Sequence, residues 1–415
     1  MSGDAGKPGD AAQRSVVPAK AGTRSRAQPA LATRLVHSEY TAPPGFAALT
    51  TPVHHASTIV FPNMAETRTR FGPTAYTYGL HATPTSLELT TQIAALEGGC
   101  QSLLTPSGLA SITLVDLAFL NAGDHVLIPD NVYRPNREVA HRLLSGLGIT
   151  AGYYDPLIGA GIAALMQSNT KLLWIEAPGS LTMEVPDVPA LVAAAKQRDI
   201  VTAIDNTWSA GVYFRAFEKG IDVSVHAVTK YIGGHSDLLM GAVTVANADL
   251  LDRVAGIRRL LGMGVAPDDI YLALRGLPTM LTRLKQHEAS ALQIAGWLRE
   301  RPEVKRMLHP AFPDCPGHEF WKRDFTGSSG LFSFIVDERF SADSVDAFVD
   351  NLRWFKIGYS WGGVASLAVT YRHDGLFGPA GKNERGHLVR LNIGLEDPAD
   401  LIADLEQGLG RLRPA

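Results

Sequence analysis

The sequence predicts an α/β protein: a mostly parallel sheet covered by helices, followed by a smaller α/β domain. Three observations carry this. Between residues 84 and 245 short apolar runs alternate with helical stretches, the pattern of strands joined by crossover helices. From 267 to 300 the chain reads as one long helix with few breakers. Beyond it come strand patterns at 330–336 and 388–393 and an amphipathic end at 397–412.

Each element has its own signal. Thr83 is placed to cap a helix whose first residue is Pro84, and Gly98-Gly99 closes it. Leu89, Ile93 and Leu96 fall on one face of that helix. The apolar run 102–104 leads into Thr105-Pro106-Ser107-Gly108-Leu109, which opens a helix over 109–120. Further apolar runs at 125–129, 171–176, 200–205, 221–228 and 241–245 read as strands, with a helix over 188–197 between them. In sheets of this kind ligands sit beyond the carboxyl ends of the strands.

Composition narrows the functional classes. A chain of 415 residues with 46% apolar residues is a large globular protein. A formal net charge of -3 offers no general affinity for polyanions, which argues against nucleic acid as a partner. The two cysteines, Cys100 and Cys315, are far apart, so neither a disulfide framework nor a cysteine metal site is expected. No apolar run is long enough to span a bilayer. Residues 1–32, rich in Ala, Gly, Pro and Ser without an apolar core, are expected to be a disordered tail. A cytoplasmic protein fits these features.

Five features carry chemistry. Lys230 follows the apolar run 221–228 and precedes Gly233-Gly234. An amine buried there loses hydration, its pKa falls, and it forms an imine with a carbonyl; alone, it would read as a surface lysine at a strand end. Asp205 closes the run 200–205, one crossover unit earlier. A carboxylate there suits a pyridine nitrogen, or equally a cap for the Asn206-Thr207 turn. The Gly108 helix start, with Leu109, is a potential phosphate site, with the Thr229 hydroxyl beside it, although Ser-Gly also serves as a simple cap. Tyr133, after the run 125–129, is placed to stack on a planar ring or to pack in the core. In 388–393, Val389, Leu391 and Ile393 take the core face, leaving Arg390 for a carboxylate ligand or a surface ion pair with Glu396 or Asp397. A lysine imine with an aspartate partner is what pyridoxal phosphate (PLP) asks of a protein. His54, His55 and His226 lack metal-ligand spacing, and His235, Asp237, Glu176 and Cys100 read as structural.

The run Thr229-Lys230-Tyr231 followed by Gly234-His235-Ser236-Asp237 resembles the Cys/Met-metabolism PLP enzymes of fold type I, over about residues 33–413. Three stretches point within the family to β-elimination at carbon–sulfur bonds: Pro178 to Val185, Phe320 to Gly327 and Tyr359 to Gly363. The resemblance implies an aspartate-aminotransferase-like domain on a seven-stranded-type sheet at 83–275, a C-terminal domain at 276–415 and an N-terminal arm at 33–82. It implies PLP on Lys230, which also moves protons, with Asp205 on the ring nitrogen and Tyr133 on the ring. It implies Gly108, Leu109 and Thr229 on the phosphate, and Tyr78 reaching the phosphate of a neighbouring subunit in a homotetramer. Arg390 and Ser360 would hold the substrate carboxylate, with Trp361 and Tyr359 beside them, and no metal is involved. The implied reaction converts L-cystathionine to homocysteine, pyruvate and ammonia. Cleavage of other cysteine S-conjugates, γ-elimination or γ-replacement are the alternatives within the family. A non-catalytic phosphate- or nucleotide-binding α/β protein is the alternative outside it. The family pattern Tyr-x-Arg-x-Gly is here Tyr78-Gly79-Leu80-His81-Ala82, so leucine stands where the phosphate-binding arginine is expected; His81 or another arginine are the candidate substitutes.

Overall fold

The computed structural model describes residues 30–37, 40–41, 43–46, 48–372 and 385–414. Most of the expected tail, residues 1–29, lies outside the described residues; the described chain opens with a helix at Leu31–Val36.

Seven strands form the larger sheet: β1 (Gln101–Thr105), β2 (His125–Pro129), β3 (Thr150–Tyr154), β4 (Thr170–Glu176), β5 (Val201–Asp205), β6 (Val223–His226) and β7 (Gly241–Val245). Their order is β1-β7-β6-β5-β4-β2-β3. Strands β2 to β6 pair parallel. Strand β7 runs against both its neighbours, β1 and β6.

Side chains alternate between two cores, as the pleat requires. In β4, Leu172 and Trp174 enter the core shared with helix Gly108–Phe119. Leu173 and Ile175 enter the one shared with helices Pro84–Glu97 and Val188–Lys196. Trp174 Nε1 donates to Asp116 Oδ1 at 2.8 Å, pinning the first of these helices to the sheet. Helix Pro84–Glu97 begins in a Thr83–Ser86 capping box and ends at Gly98 in the left-handed region, φ +79°.

The smaller sheet holds β8 (Val304–Leu308), β9 (Leu331–Val336), β10 (Lys356–Ile357), β11 (Leu367–Tyr371) and β12 (His387–Asn392), in the order β10-β11-β12-β9-β8. Val389, Leu391 and Ile393 are buried with residues of helices Met280–Arg299 and Pro398–Leu409. The single helix expected over 267–300 is instead two, Pro267–Gly276 and Met280–Arg299, joined by a 3₁₀ turn at Leu277–Thr279. Pro278 lies in that turn and has no N–H to continue the helix. The break lets Gly276 approach the Lys230 loop: a Cβ there would lie 2.5 Å from the Gly233 carbonyl oxygen. Among the described residues no helix is long and apolar enough to cross a membrane.

Candidate active site

The two sheets meet over a cavity of about 620 Å³. Its walls include Gly108, Leu109, Tyr133, Asp205, Thr229, Lys230, Tyr359, Ser360, Trp361 and Arg390. Ten of the eleven residues singled out from the sequence are thus brought together; Tyr78 is not among them. It lines a separate cavity with Leu80, His81 and Arg258.

Lys230 is not at a strand end as expected. Strand β6 stops at His226, and Lys230 lies in the turn beyond it. The cause is local: the Thr229 N–H donates to the Met240 carbonyl at 3.1 Å, and Lys230 N–H closes on Ala227 O at 2.9 Å. The Thr229 hydroxyl donates to Met240 O at 3.1 Å and accepts from Met240 N at 3.0 Å. That hydroxyl is therefore engaged with backbone at the point where a phosphate was expected to use it.

The Lys230 amine donates to Ser360 Oγ at 2.6 Å and lies 5.4 Å from the centre of the Trp361 ring. Burial and the nearby Arg390 guanidinium lower its pKa to about 8, against the opposing pull of Asp205. Ser360 is held in the left-handed region, φ +87°, a conformation that costs a non-glycine residue of order 1–3 kcal/mol. The surroundings enforce it. Gly362, φ +82°, packs so closely on Lys230 that a Cβ would lie 3.1 Å from its carbonyl carbon. The Gly362 N–H donates to Asn392 Oδ1 at 2.9 Å, tying this turn to β12.

Asp205 closes β5 in register with Glu176, the last residue of β4. Asp205 Oδ1 accepts from Thr207 N at 3.0 Å and from Thr207 Oγ1 at 2.5 Å. Cap and cavity residue, the two readings left open by the sequence, are thus both true of it. Burial raises the pKa of both carboxyls. For Glu176 the rise is large, chiefly through burial, with the negative charge of Asp205 adding to it. For Asp205 the Thr207 donors and the charges of His226 and Lys230 pull the other way. Of the two, Glu176 is therefore the carboxyl pushed further toward its protonated form. Glu176 Oε2 also accepts from Tyr133 N at 2.7 Å, which fixes the start of the loop carrying that ring. Sequence reasoning took Glu176 for packing. Its signal was its position at the end of the strand next to that of Asp205.

The rim near Gly108 is shaped for close approach. Ser107 caps the helix, accepting from Ala110 N at 3.1 Å. A Cβ at Gly108 would lie 2.8 Å from Ala227 Cβ, so only glycine lets the first turn sit this near the Lys230 loop. The free N–H groups of that turn are an anion-binding element.

Arg390 is buried on β12, on the face opposite Val389 and Leu391. It stacks on Tyr371, 5.5 Å from the ring centre, rather than pairing with Glu396, whose carboxylate accepts from Ser366. Tyr371 was missed; the alternation of β11 was its signal, since the partner strand pairs Val369 with Arg390 and brings the Tyr371 ring to the same rim. Among the described residues no group of histidines, cysteines and carboxylates is arranged to hold a metal.

A strand-end carboxylate, a lysine amine of lowered pKa, a glycine-started helix and an aromatic on one rim define a PLP-dependent enzyme. The chain belongs to the Cys/Met metabolism PLP-dependent enzyme family, which matches residues 32–410. It is 49% identical to a putative cystathionine β-lyase of Rhizobium johnstonii over 86% of this chain and 90% of that protein. It is 43% identical to the cystathionine β-lyase of Escherichia coli over 92% and 98% of the two chains. Among solved structures, the cystathionine γ-synthase of Xanthomonas oryzae superposes with a TM-score of 0.85 at 31% identity, covering 93% and 99%. The fold is type I, with a seven-stranded sheet and a smaller second sheet. A non-catalytic nucleotide-binding protein is no longer a competing reading.

Proposed function

We propose that the protein is a carbon–sulfur lyase that cleaves L-cystathionine by β-elimination, yielding homocysteine, pyruvate and ammonia. The observation that carries this is the Lys230 amine, lowered in pKa and set between Asp205 and Arg390 in one cavity. The close relatives named for this activity support the substrate.

The residues present fit PLP. Lys230 would hold it covalently, Asp205 would accept from its ring nitrogen and Tyr133 would cover the ring. The N–H groups at Gly108 and Leu109 would hold its phosphate, beside Thr229, whose hydroxyl stays with Met240. PLP supplies an electron sink that makes the substrate α-proton acidic. The chain's own residues do the rest. Arg390 grips the substrate α-carboxylate, with Ser360 beside it, and this fixes the Cα–H bond toward Lys230. Lys230, no longer tied to the cofactor once substrate is bound, would take that proton; its lowered pKa would leave a useful fraction neutral near pH 8. The Cα–H electron pair ultimately expels the β-thiolate, and the remaining three-carbon fragment is hydrolysed to pyruvate and ammonia. Trp361 walls the amine, and Tyr359 stands at the cavity mouth.

In this reading residues 83–275 form the cofactor domain and 276–415 the smaller domain. The arm 33–82 would place Tyr78 in a second copy within a homotetramer working in the cytoplasm. A product assay with cystathionine, cystine and homocysteine tests the assignment. Pyruvate from cystathionine is expected. Formation of 2-oxobutyrate instead would move the protein to γ-chemistry, and a wild-type protein with no absorbance bleached by borohydride would remove the PLP reading altogether.

A further inference from the structure

The phosphate end of the Lys230 cavity lacks a cation from its own chain. Around Gly108 and Leu109 lie Ser107, which caps the helix, and Ala227, which a Cβ at Gly108 would meet at 2.8 Å, and neither carries a charge. Of the arginines elsewhere in the cavity, Arg134 pairs with Glu138 and Arg372 with Asp343 and Asp346, and Arg390, which lies on Tyr371, is the group assigned above to the substrate carboxylate. A helix start alone gives N–H groups and a partial charge, too little for a dianion that is bound tightly.

The opposite imbalance exists in the cavity of about 400 Å³ lined by Tyr78, Leu80, His81 and Arg258. Arg258 donates from Nε to Leu104 O at 2.6 Å and from Nη1 to Leu80 O at 3.2 Å. Both acceptors are neutral carbonyls. Among the described residues no carboxylate lines this cavity or pairs with Arg258, and nothing accepts from its Nη2. A half-buried guanidinium without a counter-charge is costly unless an anion completes it. His81 does not share the charge: burial and the neighbouring Arg259 and Arg258 lower its pKa, and its Nδ1 lies 2.7 Å from Thr77 Oγ1. Arg258 is therefore held directly behind Leu80, by the main chain of the very residue that stands where the family pattern has arginine.

We propose that Arg258, together with Tyr78, binds a phosphate dianion, namely the PLP phosphate of a second copy of this chain, and so replaces the arginine absent from position 80. This rests on the PLP reading above. One imbalance answers the other: each copy has a phosphate end without a cation and, in a separate cavity, a cation without an anion.

The test compares PLP with pyridoxal, which lacks the phosphate, in wild-type protein and in Arg258→Gln. The variant is expected to bind PLP about 10- to 100-fold more weakly and pyridoxal almost unchanged. Adding Leu80→Arg to the variant should restore PLP affinity. Equal losses for both ligands, or a fall in melting temperature with no loss of PLP preference, would overturn the proposal. Mixed oligomers of Lys230→Ala and Arg258→Gln chains identify the source of the phosphate. Recovery of tight PLP binding on the chain that retains Lys230 is expected; no recovery overturns the second-copy assignment. An apoprotein whose Arg258-dependent stabilisation by inorganic phosphate is its sole response would instead mark a site for free anions and overturn it too. Wild-type PLP binding that bleaches with borohydride leaves the proposed function standing whatever Arg258 does.

Discussion

In the larger sheet, functional groups sit at the carboxyl tips of the strands or just past them: Asp205 at the tip of β5, Lys230 in the turn after β6, Tyr133 in the loop after β2. In the smaller sheet, Arg390 projects from the middle of a strand, and Ser360 comes from a turn tied to the same strand through Asn392. A parallel sheet buried on both faces has no open face for polar groups, so its chemistry lies at its rim. An antiparallel sheet with one face on the core leaves every second residue free, so a side chain such as Arg390 is aimed by the pleat itself. The expected division is that the first sheet sets the rate of the chemistry and the second the grip on the substrate.

Three substitutions break or sharpen that division, in descending order of effect. Lys230→Ala removes both the covalent partner and the base. Pyruvate release should fall by at least about 10³-fold, with no borohydride-sensitive absorbance. Near-normal turnover would end the distinction, because the larger sheet would then not carry the chemistry. Arg390→Leu keeps the strand and its packing but loses the carboxylate clamp. The KM for cystathionine should rise about 10²-fold, with kcat falling less. The same change removes a cation that depresses the Lys230 pKa. PLP capture by the apoprotein depends on the neutral amine, so its midpoint should move to higher pH than in the wild type. A loss confined to kcat would blur the roles of the two sheets.

Asp116→Asn addresses a group with no part in either role. Burial pushes the Asp116 carboxyl up to about 7, although Trp174 donates to it. A carboxyl raised on folding contributes its full stability below its ordinary pKa near 4 and loses it as pH rises toward 7. The wild type should therefore lose up to roughly 4 kcal/mol of stability across that window. Asp116→Asn should flatten this dependence in urea titrations while leaving KM unchanged. An unaltered pH profile would show that Asp116 is not the titrating group.

Local signals made most of the elements legible. Thr83-Pro84 and Gly98 mark both ends of a helix by capping chemistry, and the structure places those ends accordingly. The apolar runs at 125–129 and 241–245 are strands over those same residues. Long-range contacts decided the rest. Strand β6 ends early because Thr229 bonds to Met240, eleven residues on, an exchange invisible to periodicity. The helix over 267–300 breaks at Pro278, an interior proline that was a legible breaker, and what the sequence did not show is the close approach of Gly276 to the Lys230 loop at that break. Glu176 was passed over because a strand-end glutamate acquires meaning only from the strand beside it, and strand order is not written locally.

The sequence by itself determined the kind of chemistry. Lys230, Asp205, Tyr133, the Gly108 helix start and Arg390 are residue types tied to spacing, and spacing along a chain sets which strand end or face each one occupies. Only the tertiary structure decided how they act. Burial and Arg390 lower the Lys230 pKa, burial and the neighbouring Asp205 raise that of Glu176, and Arg258 comes to lie behind Leu80. These are properties of charge and exclusion from water, and both depend on neighbours in space that are far apart in the chain.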